Sequence, residues 1–204
     1  MSQTKSAAHI VTGEVRLAFP ALFEPQPPMK GDTSGKLVYQ ATLLLPVGYD
    51  LKPLYAAMQA AAAGNWGGNV PKMSPSKNPI KAFDGESSIA GFEPGMHMIR
   101  TKSNFQPPVV DQRVQPILDA NLIYAGCYVK AAIHAFGWTH ATGGNGISFG
   151  LDAIQFIRNG ERIDGRLNVG TTFEPVAFDE SDALPTGGPP DGAAGDAAAA
   201  AMFG

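Results

Sequence analysis

Cysteine is nearly absent: Cys127 is the single one in 204 residues. An intramolecular disulfide is therefore excluded, a pattern that suits a reducing compartment. Long apolar runs are lacking as well. None approaches the roughly 18 residues of a membrane-spanning helix. The opening "MSQTKSAAHIVTG" has no apolar stretch of the kind a secretory signal needs. The expectation is an intracellular protein that engages no membrane.

Motifs of catalysis are missing too. There is no Gly-x-Ser-x-Gly elbow. "GDTSGK" at 31–36 is glycine-rich, but it lacks the four-residue gap that a phosphate-binding loop places before Gly-Lys. It reads as a turn, as does "GGNG" at 143–146. His97, His134 and His140 show no zinc-type spacing with cysteine or carboxylate, and His9 stands apart. No enzyme, no metal and no cofactor is expected.

Basic residues are lacking from the end of the chain. All 15 Lys and Arg precede Glu174, together with 12 of the 18 carboxylates, so the first 173 residues carry +3. The last 31 carry −6, from Glu174, Asp179, Glu180, Asp182, Asp191 and Asp196. That asymmetry fits a nucleic-acid-binding body with an acidic tail, or a solvated end that keeps the chain soluble. From Glu174 the composition falls to Asp, Ala, Gly and Pro, too little apolar surface to fold alone. The tail nevertheless closes on Met202 and Phe203, an apolar pair suited to holding a partner.

What is abundant is Gly, at 24, and Pro, at 17, which favours short strands and turns over a helical bundle. Period two over "HIVTGEVRLAF" predicts a strand with Val11, Gly13, Val15, Leu17 and Phe19 on the core face, ended by Pro20. "LVYQATLLLP" predicts a strand buried on both faces. "YDLKPLYAAMQAAAAGNWGG" predicts the helix, with Asp50 as cap, Leu51, Leu54, Tyr55 and Met58 as its buried stripe, and Gly64 as its end. A long irregular stretch from Gly67 to Pro94 carries Lys72, Lys77 and Lys81 beside Phe83. "MHMIRTKSN" predicts a strand, and "QRVQPILDANLI" a short helical connector. "YAGCYVKAAIHAFGWTH" and "ISFGLDAIQFIRNGERI" predict a long hairpin, followed by an Asn-Gly turn at 159–160.

The first hairpin strand carries the chemistry. Its odd positions, Ala125, Cys127, Val129, Ala131, Ile133 and Ala135, are small or apolar and form a core face, which makes Cys127 a poor nucleophile. Its even positions include Tyr128, Lys130, His134, Phe136 and Trp138. Side chains alternate across a sheet, so rings and cations share one face. Single-stranded nucleic acid uses such a face: bases stack on rings and phosphates pair with cations. The stacking candidates are Tyr128, Phe136, Trp138, Phe83 and Phe105. The phosphate candidates are Arg16, Lys81, Arg100, Lys102, Lys130 and His134. The alternative from another class is a structural or scaffolding protein that self-assembles through the same aromatic face.

Taken together, "GEVRLAFPALFEP", a strand ending "LLLP", "IYAGCYVKAAIHAF" and the return "GISFGLDAIQF" resemble a family of phage single-stranded DNA-binding proteins, over about residues 9 to 165. The most specific part is the Tyr-x-Gly-Cys-Tyr-Val segment from Tyr124 to Val129. The resemblance implies a mainly β chain. Its core would be an OB-fold, a five-stranded partly open barrel, with an inserted helix, long loops and a disordered acidic C-terminal tail. Residues 1–8 would be a flexible N-terminus, 9–175 the DNA-binding domain and 176–204 the tail. The implied role is coating single-stranded DNA in phage replication, recombination or repair, in the host cytoplasm. Replication or recombination proteins would be met through Met202 and Phe203, and a second copy of the chain is a further partner.

Overall fold

The computed structural model describes residues 7–28, 35–85, 90–141 and 143–165, and the account below concerns those residues. The expected tail, with Met202 and Phe203, lies outside them, as does the expected end of the body. In chain order the elements are β1 (His9–Val11), β2 (Val15–Gln26), β3 (Val38–Leu45), α1 (Lys52–Trp66), β4 (Ile80–Ala82), β5 (His97–Ser103), β6 (Val109–Val110), β7 (Tyr128–His140) and β8 (Gly144–Arg158). Single turns of 3-10 helix stand at Pro75–Lys77 and Ala120–Leu122, the second within the expected connector.

Five strands close a ring in the order β7, β2, β3, β5, β8 and back to β7. All neighbours are antiparallel except β5 and β8, which run parallel. Two seams are short. β2 meets β7 only through Val15 and Arg16, and β5 meets β8 only through Thr101 and Lys102. The ring is therefore OB-fold-like and only partly barrel-shaped, as partly open OB rings are. β1 extends it beside β7, β6 beside β8, and β4 beside β5.

The long hairpin forms as its alternation predicts. Ala125, Cys127, Val129, Ala131, Ile133 and Ala135 are all buried, and all but Ala125 and Ala135 are fully so. Burial pushes the Cys127 thiol up, so it stays protonated and inert. β3 is buried on both faces, with Leu43, Leu44 and Leu45 essentially inaccessible.

Several expectations are corrected by packing. In the first strand, Val11 and Phe19 are exposed while Thr12 is buried. The chain breaks between β1 and β2, and Thr12 fills the gap in the ladder. Its Oγ1 accepts from the Ala131 amide at 2.9 Å, and its own amide donates to the Ala131 carbonyl at 2.9 Å. Pro20 does not end β2. The register shifts between Ala18 and Ala21, Phe19 takes φ 48°, and the strand runs on with Ala21 and Leu22 both inside.

In α1 the buried stripe is Leu54, Ala57, Ala61 and Ala62, while Tyr55 is exposed. The helix lies on β7, where small residues on both sides allow close approach. A Cβ on Gly137 would fall 2.9 Å from both the Asn65 Cβ and the Trp66 ring. Gly64 stays inside the helix, which ends at Gly67 with φ 60°. Leu51 and not Asp50 takes the cap position, with no side chain capping the helix there, although Asp50 accepts from the Lys52 amide at 3.0 Å. Asn159 and Gly160 form no turn. Their segment continues past Tyr124, whose hydroxyl donates to the Gly160 carbonyl at 2.9 Å.

That crossing explains the Tyr-x-Gly-Cys-Tyr-Val segment. Gly126 has φ 115°, and a Cβ there would lie 2.0 Å from the Glu161 carbonyl oxygen. Its amide donates to Leu17, and the Ile163 amide donates to Ala125. Arg16 binds the Gly126 and Glu161 carbonyls at 3.3 and 2.8 Å. Three stretches of chain thus meet where only glycine fits. Gly126→Ala is expected to cost more than about 2 kcal/mol, from strain and the backbone clash. Urea denaturation checks this, and an unchanged midpoint would contradict it.

Candidate nucleic-acid interface

The outer surface of β5, β8 and β7 forms one continuous face. Register places Lys102 beside Gly150 and Gly150 beside His134, while Ser148 is opposite Phe136 and Gly146 opposite Trp138. On β5 the inward Ile99 and Thr101 are buried, and the outward Arg100 and Lys102 are exposed. The rings of β7 therefore share a surface with cations from another part of the chain.

Glycines on the neighbouring strand let these rings lie down on the sheet. A Cβ on Gly146 would fall 2.3 Å from the Trp138 ring, and one on Gly150 would fall 2.2 Å from His134. A Cβ on Gly160 would come within 2.8 Å of Tyr128. The four-residue spacing of Gly146 and Gly150 matches the spacing of His134 and Trp138, as antiparallel pairing requires.

Trp138 stands at the most developed end of the face. Its indole N–H donates to Ser148 Oγ at 2.9 Å, which fixes the ring's orientation. The Lys77 ammonium lies 5.5 Å from the ring centroid, within cation–π range, and donates to the carbonyls of Gly143 and Asn145. A cleft of about 310 Å³ opens here, lined by Trp138, Lys77, Lys81, Met98, Arg100 and Ser148 among others. Lys81 is steadied by the Ser76 carbonyl. The cleft thus combines one oriented indole with three cations. Lys72, grouped with Lys77 and Lys81 by sequence, is absent from its lining.

The other candidates are placed differently. Phe136 is half-buried beside His134, with ring centroids 5.8 Å apart. Lys130 is exposed further along β7, and Phe105 is 82% exposed just beyond β5. Tyr128 is half-buried with the Arg158 guanidinium 3.5 Å over its ring. Arg158 is itself held by Glu14, which raises its pKa through their hydrogen bonds. A base would have to displace that guanidinium or stack on it.

Three candidates depart from expectation. Phe83 is buried, edge-on to Phe92 at 5.5 Å, so it is a core ring and offers no face to a base. Arg16 is engaged by the two carbonyls of the Gly126 crossing. His134 Nδ1 meets Asp152 Oδ1 at 2.7 Å, so a phosphate there would have to compete with a carboxylate. Sequence reasoning noted Lys77 without counting it among the phosphate candidates and passed over Ser148, because nothing in their local pattern reveals what Trp138 will touch. It also passed over Phe19, which is 56% exposed because the β2 irregularity turns it outward. The glycine spacing in "GISFG" was the one local signal for the ring platform.

An OB-like ring with aromatic and cationic side chains on one outer face is an arrangement that single-strand-binding modules use. A family described as Enterobacter phage Enc34, ssDNA-binding protein, matches residues 8–184. The chain belongs to that family. It is 29% identical over 164 residues to protein p50 of Acyrthosiphon pisum secondary endosymbiont phage 1, covering 76% of this chain and 86% of that one. The fold is similar to the single-stranded DNA-binding protein of bacteriophage Enc34 in complex with ssDNA. The TM-score is 0.64 at 22% identity, over 79% of this chain and 96% of the other. It is also similar to gp2.5, a single-stranded DNA-binding protein encoded by bacteriophage T7. There the TM-score is 0.54 at 13% identity, over 84% and 97% of the two chains.

The glycine platform makes a direct prediction. In a Trp66→Phe background, Trp138 is the only tryptophan left. Gly146→Ala should then lift the indole off the sheet and shift its fluorescence emission to longer wavelength. An emission spectrum identical to that of the background protein would show that the ring does not depend on Gly146.

Proposed function

We propose that the chain binds single-stranded DNA without sequence preference along the outer face of β5, β8 and β7, and that it does so without catalysis. The observation that carries this reading is the Trp138 cleft, where an oriented indole stands among Lys77, Lys81 and Arg100. A base stacks on an indole whatever its identity, because every base has a π-face. The cations take the phosphates on either side. Phe136 and Phe105 offer further rings along the path, and Lys102 and Lys130 further cations. Family membership supports the same reading, since both similar solved proteins are named for binding single-stranded DNA. Duplex DNA hides its base faces in the stack, so it can use only the cations.

Binding should therefore favour single strands over duplex by a wide margin. If the three cleft cations each neutralise one phosphate, affinity should fall with salt at a log–log slope of about −2, from roughly −0.7 per phosphate. Trp138→Ala should cost about 1–3 kcal/mol of binding. Fluorescence anisotropy with labelled oligonucleotides, at several salt concentrations, checks all three. Equal affinity for single and double strands would overturn the stacking reading.

We further propose that the acidic C-terminal segment competes with DNA for these cations. Six carboxylates tethered to a basic face are present there at high effective concentration. DNA would release the segment and leave Met202 and Phe203 for a replication, recombination or repair partner. Deleting residues 179–204 should tighten single-strand binding several-fold at low salt, with the gain shrinking as salt screens the charges. Affinity equal to that of the full chain at every salt concentration would rule the competition out.

A further inference from the structure

We propose that His9, His134 and Asp152 form a binding site for a divalent transition-metal ion, with Zn²⁺ as its best fit. Sequence spacing gives no hint of it, because the three residues come from three separate strands. β1, β7 and β8 lie side by side, and the register sets His9 directly beside His134. Asp152 comes onto the same face next to Gly150, where the missing side chain leaves room for the His134 ring.

One ligand atom from each residue lies within 4.8 Å of the other two. The carboxylate divides its oxygens between the imidazoles. Oδ1 lies 2.7 Å from His134 Nδ1, and Oδ2 lies 3.9 Å from His9 Nε2. The two imidazole rings are 5.2 Å apart and tilted by 34°. In a tetrahedral site with bonds of about 2.0–2.1 Å, ligand atoms stand roughly 3.4 Å from one another. The two carboxylate–imidazole separations stand on either side of that value and the third is within 4.8 Å, so the proposed site asks the exposed His9 ring to move in toward the other two ligands. Two imidazoles and one carboxylate are the donors of open three-ligand zinc sites, which leave a fourth position for water or another group. The β1–β7 ladder fixes His9 beside His134, while Asp152 is the extra residue at the β8 irregularity between Leu151 and Ala153, where the chain turns its carboxylate toward both rings.

The ion would replace the direct His134–Asp152 hydrogen bond and tie β1, through His9, to the central hairpin. β1 is a three-residue edge strand, so it stands to gain most from such a tie. The site lies beside Phe136, and a bound dication would turn a neutralised carboxylate into a local positive centre. None of this depends on the DNA-binding reading, and the test uses no DNA.

The test is isothermal titration of the full, tag-free chain with ZnCl₂, alongside His9→Gln, Asp152→Asn and His140→Gln. His9 is exposed on its edge strand and Asp152→Asn keeps the shape of the side chain, so both variants should fold, which circular dichroism verifies. Wild type and His140→Gln should bind one Zn²⁺ per chain with the same affinity. His9→Gln and Asp152→Asn should each lose more than the roughly tenfold that removing even a supporting group costs. Zn²⁺ should raise the melting temperature of wild type and leave those two variants unmoved. Absence of binding to wild type, or wild-type affinity in His9→Gln and Asp152→Asn, would overturn the proposal. So would binding that disappears only in His140→Gln.

Discussion

The pairing of β7 with β8 is the constraint on which the rest of the structure depends. It runs from Tyr128 opposite Arg158 to Gly144 opposite His140, with two local register shifts. One side of β7 faces the core, and the other carries the rings and cations. β8 closes the ring through its short parallel seam with β5, so the hairpin is both the spine of the fold and the floor of the candidate interface. A slip of one residue would send Val129, Ala131 and Ile133 to solvent and bury Lys130. The burial of so many apolar groups on one side holds the register, and the register positions the other side.

Small residues do opposite work on the two faces of that hairpin. On the core side, Gly137 and the alanines of α1 let a helix settle close against the strand. On the outer side, Gly146 and Gly150 let side chains of β7 lie across β8. A flat ring pinned to a sheet has few rotamers to lose when something stacks on it. Rigid, preoriented rings therefore make better contacts than mobile ones.

Electrostatics divides the outer face into regions. Around Trp138, lysines and an arginine converge, and backbone carbonyls steady two of them without cancelling their charge. Around Tyr128, Arg158 is tied to Glu14 and Arg16 to the carbonyls of the Gly126 crossing, so these cations are already committed. Between them, Asp152 stands against two histidines. Along this gradient the proposed DNA contacts fall at the Trp138 end, and the proposed metal site falls on the histidine cluster, where a carboxylate stands in place of free cations.

Much of this was legible in the sequence by itself. Period two sorted β7 into a core face and an aromatic face, and uniform apolarity marked β3 as buried on both sides. These are properties of the extended chain, in which side chains alternate whatever the surroundings. The tertiary structure decided which outward groups meet. It buried Phe83 against Phe92, turned Phe19 outward at an irregularity, and rotated α1 onto its alanines. It also brought Lys77 to Trp138 and set His9 and Asp152 around His134. The physical reason is distance along the chain. Alternation and propensity act over a few residues, whereas Lys77 meets Trp138 and His9 meets His134 across far longer stretches of chain, and only closure of the ring brings them together.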